Sequence, residues 1–159
     1  RKNWMILIEA YLRMRRPNDS LTFVGYGAEQ DKLESYVRNA DPKLNISFEG
    51  KVEYPLLPEL YARHDTLVLP STEEVWGLVL NEALCSGLSG VASDACGSTT
   101  TLSGLPGFFT FEKDSLEDLV RAMRSAQTLG RLRSRPSGAI EVSNPARFSR
   151  DIILRLEEN

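Results

Sequence analysis

Two glutamates, Glu74 and Glu82, stand with seven residues between them in the run Pro70-Ser71-Thr72-Glu73-Glu74-Val75-Trp76-Gly77-Leu78-Val79-Leu80-Asn81-Glu82-Ala83-Leu84. The run reads as a strand end, a loop and a helix start. The first turn of such a helix leaves the backbone N–H groups of about Trp76 to Val79 without intrahelical partners, and the helix dipole behind them makes an anion site suited to a diphosphate. Gly77 removes a side chain where a ligand must approach the backbone. Glu82 lies five residues beyond Gly77, roughly 7 to 8 Å further along the helix, where a carboxylate can accept hydrogen bonds from a vicinal diol. Glu74 sits in the loop on the other side. A diphosphate between them would have a hydroxyl acceptor at each end, sugar on one side and ribose on the other. Alone, two acids at a helix end are ordinary cap residues, so the argument needs the elements around them.

Other chemistries find less support. Gly25 and Gly27 do not extend to a GxGxxG fingerprint, because Gln30 holds the third position, and a tight turn is the simpler use of both. His64, the single histidine, sits beside Asp65 near a helix end, where a dipole or surface role outweighs catalysis. No His, Cys or Asp cluster has ligand spacing, so no metal is expected. Cys85 and Cys96, the two cysteines, are expected as free thiols in a reducing cytosol. Arg131, Arg133 and Arg135 read as a solvated hinge segment.

The chain has 159 residues, 19 basic and 22 acidic, for a net charge of −3. That is one compact domain with no electrostatic footprint for nucleic acid. No apolar run approaches the roughly 20 residues of a membrane helix, so the domain is expected to be soluble. The opening Arg1-Lys2-Asn3 runs quickly into an apolar helical pattern, as in a piece of a longer protein.

The elements follow from periodicity. Trp4, Ile8, Tyr11 and Leu12 mark one helix; Leu33, Tyr36 and Val37 the inner face of a second; Leu57, Leu60 and Tyr61 a third, with Pro55 and Pro58 before it or in its first turn. Short buried strands are expected at 21–24, 45–48, 66–69, 91–92 and 108–111. A helix over 77–85 follows the glutamate loop. The stretch 96–106 reads as loop. A helix over 115–126 carries Leu116, Leu119, Val120 and Met123 inward, with Asp114 and Glu117 as a capping-box-like pair. Residues 130–146 form a connection, and 147–157 a closing helix built on Phe148, Ile152 and Leu156. Strand and helix alternate throughout. The expected fold is therefore α/β, a doubly wound parallel, Rossmann-like sheet whose ligands bind beyond the carboxyl ends of the strands.

The glutamate pair, with the aromatic-Gly step between and Ala83-Leu84 after, resembles the donor motif of the retaining glycosyltransferases of family four, which have the GT-B fold. Lys2-Asn3 before Leu7-Ile8-Glu9-Ala10, Phe23-Val24-Gly25-Tyr26-Gly27, Phe48-Glu49-Gly50-Lys51-Val52, Leu60-Tyr61 through Asp65, and Leu69-Pro70-Ser71 resemble the family in order and spacing. The resemblance implies the C-terminal, donor-binding half of a GT-B enzyme, lacking its first strand and its N-terminal acceptor-binding domain. It implies that Glu74 holds the transferred sugar, that Val75, Trp76 and Gly77 line its pocket, that Leu78 and Val79 offer amides to phosphate, and that Glu82 binds ribose. Lys2 would neutralise the diphosphate, together with an arginine that lies upstream in the family. Lys51, Val52 and Tyr54 would meet the base through the backbone.

The donor implied is a UDP- or GDP-linked sugar, with a hexosyl unit passing to an acceptor hydroxyl with retention, and with no cofactor or metal. The isolated domain would be inactive alone. The resemblance also implies a cytoplasmic protein, working at the inner membrane face through peripheral association of its full-length form. The alternative is a non-catalytic nucleotide-sugar-binding or scaffolding module. The chain departs from the family at Ser89-Gly90, where Pro-Val is usual, and at Thr100-Thr101, where an acidic residue often follows the glycine turn.

Overall fold

The computed structural model describes residues 2–41 and 43–133, so the expected closing helix and nearly all of the 130–146 connection lie outside the described residues. In chain order the elements are α1 (Trp4–Met14), β1 (Leu21–Val24), α2 (Gln30–Ala40), β2 (Ile46–Gly50), a 3-10 turn (Tyr54–Leu56), α3 (Leu57–Ala62), β3 (Thr66–Leu69), α4 (Leu78–Cys85), β4 (Ser89–Ser93), α5 (Thr99–Leu102), β5 (Phe108–Phe111) and α6 (Leu116–Leu129). Each strand pairs in parallel, as helical crossovers demand. Among the described residues the strands form two sheets, β1-β2 and β3-β4-β5.

β4 shows how the layers arise. All five of its residues are buried, the mark of a strand covered on both faces. Val91 packs into a core with Ile6, Leu7 and Ile8 of α1 and Leu119 and Met123 of α6. Its neighbour Ala92 packs on the other side with Leu80 and Leu84 of α4 and Leu102 of α5. Adjacent residues of a strand point to opposite faces, so these two cores are the two faces of one sheet. The β1-β2 pair is held by Phe23 stacked on Phe48 at 5.0 Å and by Trp4 set edge-on to Phe23 at 5.6 Å.

Several local expectations need correction. Tyr36 is exposed, while Leu33 and Val37 of the expected inner face of α2 do pack inward. α5 occupies the middle of the stretch expected as loop, and β4 extends beyond Val91 and Ala92 on both sides. The cap of α6 is Ser115, whose hydroxyl accepts from the Asp118 N–H; Asp114 takes a left-handed φ of 62° and instead accepts from the Asn3 side chain at 2.9 Å. Ser, Asp and Asn cap helices about equally well, so sequence could not say which acid or hydroxyl in the run Asp114-Ser115 would be used.

Arg131 is exposed, as expected, but it is also tied down. Its guanidinium donates to the carbonyls of Tyr61 at 2.9 Å and Ser86 at 2.8 Å, and also to that of His64, tying together the C-terminal ends of α3 and α4. Cations at helix C-termini satisfy the last carbonyls and complement the dipole.

His64 is likewise tied in, with Nδ1 2.7 Å from the Leu60 carbonyl and Nε2 3.0 Å from the Thr22 hydroxyl of β1. It is a strut between α3 and the neighbouring sheet. A cavity of about 310 Å³ lies beside it, with β1 residues Leu21 and Phe23 on one wall and β3 residues Thr66 and Val68 on the other.

Candidate functional site

The loop between β3 and α4 is fixed from behind by the loop after β4. Glu74 bridges to Cys96: the Glu74 N–H reaches the Ala95 carbonyl at 3.4 Å and the Gly97 N–H donates to the Glu74 carbonyl at 3.0 Å. The Ser98 N–H donates to the Trp76 carbonyl at 3.0 Å. The loops meet so closely at Gly97 that an added Cβ would stand 2.0 Å from the Val75 carbonyl oxygen. Only glycine fits there.

Gly77 caps α4 with φ 82° and ψ 53°, the left-handed conformation that side chains disfavour. A Cβ at Gly77 would also press on Leu69 at 2.9 Å, so both strain and packing hold this position to glycine. The cap has no side-chain hydrogen bond. The helix begins one residue later than the sequence suggests, and its N–H groups without intrahelical partners start with Leu78 and Val79, since the Leu80 N–H already turns back to the Gly77 carbonyl at 3.0 Å.

The residues expected to hold the sugar and to neutralise the diphosphate meet. Lys2, two residues ahead of α1, forms an ion pair with the Oε2 of Glu74, although 72 positions separate them in sequence. Asn3 makes this possible: its left-handed φ of 47° and its bond to Asp114 turn the chain just ahead of α1. Lys2 also borders a cavity of about 340 Å³ formed with Trp4, Phe23, Tyr26 and Phe48. That cavity is walled by the Gly25 turn, where φ is 111°.

Glu82, a turn into α4, accepts a 2.9 Å hydrogen bond on Oε2 from the phenol of Tyr61. Burial pushes the Glu82 carboxyl above its ordinary range, and the Tyr61 hydrogen bond pulls back against that rise. The Tyr61 phenol is itself pushed up, first by burial and then by the Glu82 charge, so it stays protonated and remains a donor.

The remaining assigned residues divide. Val75 is 92% exposed and free to meet a ligand, Trp76 is half-buried with its indole nitrogen shielded and unpartnered, and Leu78 and Val79 open the helix. Lys51 and Tyr54 are exposed, Val52 is half-buried, and the Lys51 ammonium pairs with Glu53 at 2.8 Å. That pairing raises the Lys51 pKa. Two participants escaped the sequence reading as site residues. Tyr61 read as a buried helix position and as part of the run through Asp65 that resembles the family, and Gly97 fell in the stretch read as loop; neither belongs to a run with its partner, so spacing did not point to their contacts.

Among the described residues, no group of three or more His, Cys, Asp or Glu is placed to hold a metal, and no helix is long and apolar enough to cross a membrane. Cys85 and Cys96 form no disulfide with each other. Burial raises the Cys96 pKa.

Parallel strands with helices on both faces, and a glycine-capped helix that carries acids before and after its first turn, define the α/β class that binds ligands at the strand carboxyl ends. The chain belongs to the family described as "Glycosyl transferases group 1", which it matches over residues 1–141. It is 34% identical over 121 residues to a glycogen synthase of Mycobacterium tuberculosis, covering 74% of this chain and 29% of that protein. It is 32% identical over 113 residues to the sulfoquinovosyl transferase SQD2 of Arabidopsis thaliana, covering 69% of this chain and 21% of that one. The chain thus spans between a fifth and a third of the length of these relatives.

Among solved structures, the lipopolysaccharide-biosynthesis glycosyltransferase WaaG superposes with a TM-score of 0.70 at 27% identity, over 80% of this chain and 35% of WaaG. Anabaena Alr3699/HepE in complex with UDP superposes at 0.72 and 21% identity, over 99% of this chain and 46% of that structure, a likeness of fold. The fold is that of the Rossmann-like C-terminal half of a GT-B glycosyltransferase.

Proposed function

We propose that the chain is the donor-binding domain of a retaining hexosyltransferase of family four, which holds a UDP- or GDP-linked sugar without metal while an N-terminal domain supplies the acceptor. The observation that carries this reading is the arrangement around α4. Lys2 and Glu74 meet near its glycine-capped start, and Glu82 stands anchored further along it. In this reading the diphosphate lies over the Leu78 and Val79 amides and draws Lys2 from Glu74, whose carboxylate turns to the sugar hydroxyls. Glu82 takes the ribose diol. The base lies toward Lys51, Val52 and Tyr54. Lys2 and the helix amides then stabilise the charge that develops on the departing diphosphate, the work of a cation in other sites. Family membership and a relative solved with UDP support the donor class.

The slot between β1 and β3 supports the expectation that one more parallel strand belongs there in the complete protein, ahead of α1. The test of the donor site is calorimetric titration with UDP, GDP and ADP. Glu82→Ala should weaken bare nucleotide and nucleotide-sugar alike, by roughly 10- to 150-fold, the worth of a charge-assisted hydrogen bond. Glu74→Ala should spare bare nucleotide and remove the extra affinity that the sugar supplies. Equal losses of bare nucleotide affinity in the two variants would refute the division of roles. Binding should persist in EDTA; its disappearance there would refute the metal-free site.

A further inference from the structure

We propose that Tyr61 is a positioning residue for Glu82: its phenol, 2.9 Å from Oε2, locks the carboxylate so that Oε1 is left as the acceptor for the two hydroxyls of a ribose. The proposal rests on the donor-site reading of Glu82 and adds to it the residue that sets its strength and its dependence on pH.

The lock is rigid. The Tyr61 ring is 7% exposed and packs against Ala83 and Leu88, and Ala83 is the next residue of the helix that carries Glu82. From the other end, the Arg131 guanidinium holds the Tyr61 carbonyl at 2.9 Å. The side chain that donates and the helix that accepts therefore move as one body. A free glutamate samples many rotamers and must be ordered when a ligand binds, which costs affinity. With Tyr61 in place the ordering is complete beforehand.

The phenol also decides protonation. A diol needs an acceptor, so Glu82 must be ionised, yet its half-buried position favours the neutral acid. Tyr61 is the titratable group that acts on Glu82, Tyr54 at the turn before α3 acts on Tyr61, and Arg131 reaches the adjoining carbonyls of Tyr61 and Ser86. Removing the phenol takes away the hydrogen bond that opposes desolvation. The Glu82 pKa then rises further, and ribose binding fails at a higher pH than in the native protein.

The experiment is calorimetric titration of native protein and Tyr61→Phe, from pH 5 to pH 8, with whichever of UDP, GDP and ADP binds best and with its 2′,3′-dideoxy counterpart. In Tyr61→Phe the ribonucleotide should weaken by about 3- to 10-fold at pH 7, the cost of ordering a carboxylate side chain that is no longer held, while the dideoxy compound binds as before. The pH at which ribonucleotide affinity falls should move upward. A purely structural Tyr61 would lower Tm while leaving ribose preference and pH midpoint in place, and that result overturns the proposal. Equal weakening of both nucleotides also overturns it. Native protein that binds none of the three nucleotides refutes the donor site itself, whereas native binding without ribose preference refutes the role of Glu82. Should Tyr61→Phe fail to fold, 3-fluorotyrosine at position 61, a stronger donor, should lower the pH midpoint, and an unmoved midpoint then overturns the proposal.

Discussion

At Gly97 the backbone of one loop touches the backbone of another, and a methyl group has nowhere to go. Gly97→Ala puts a carbon where the Val75 carbonyl oxygen stands, so the loop that carries Glu74 must shift. Overpacking of this kind costs about 1 to 3 kcal/mol, so thermal unfolding should show a clear fall in Tm, and donor affinity should fall with it. Gly27→Ala is the control, since an added Cβ there meets nothing within 4 Å and its φ is not left-handed. That variant should unfold and bind as the native chain does. At this scale the sequence was informative about Glu74, Gly77 and Glu82, because one strand-loop-helix passage carries all three and their spacing is local. It was silent on the Lys2–Glu74 pair and the Tyr61–Glu82 bond as contacts, since each joins residues remote in sequence.

Helix ends, which sequence reading places least well, hold the next level together. Arg131→Ala should lower stability by about 1 kcal/mol in urea unfolding, because the carbonyls at the ends of α3 and α4 lose a charged donor but keep access to water. An effect equally large in Arg121→Ala, whose partner Asp118 is on its own helix, would show that general surface charge and not the α3–α4 tie is responsible. The strands and long helices were legible because burial imposes periods of 2 and 3.6 on their apolar residues. The short α5, with the sequence Thr-Thr-Thr-Leu, has no such period and owes its place to Leu102 in the core. The carbonyls that Arg131 meets were not legible, because one arginine among three in a polar stretch carries no sign of the helix ends it will reach.

For the molecule as a whole, the two perturbed carboxyls pull stability in opposite directions as the pH changes. Glu82 has its pKa raised in the fold, so it counts against folding once ionised, and that burden lifts as pH falls through its raised pKa toward its unfolded value. Asp118 has its pKa lowered, chiefly by the Glu112 N–H that it accepts, so its contribution is present above its ordinary value of 3.8 and is lost as pH falls below that. Tm should therefore gain from Glu82 as pH falls from neutrality toward its ordinary value of 4.5, and Glu82→Gln should flatten that rise; an unchanged slope in the variant would refute the assignment. The parallel α/β class was legible from the rhythm of the elements, but the division into two sheets was not, because periodicity says which face a strand buries and nothing about which neighbour it takes.

That division matters beyond the site. The edges of β1 and β3 that border the slot are not paired with another named strand among the described residues, and an unpaired strand edge is a template for any other chain that can lie against it. The 159-residue chain at high concentration should therefore self-associate, visible as growth in light scattering, and amides of Thr22 and Val68 should exchange quickly in deuterated solvent. A longer form carrying its own strand for the slot should stay monomeric at the same concentration and protect those amides. A slot wide enough to matter for the fold is thus also the route by which the chain would aggregate.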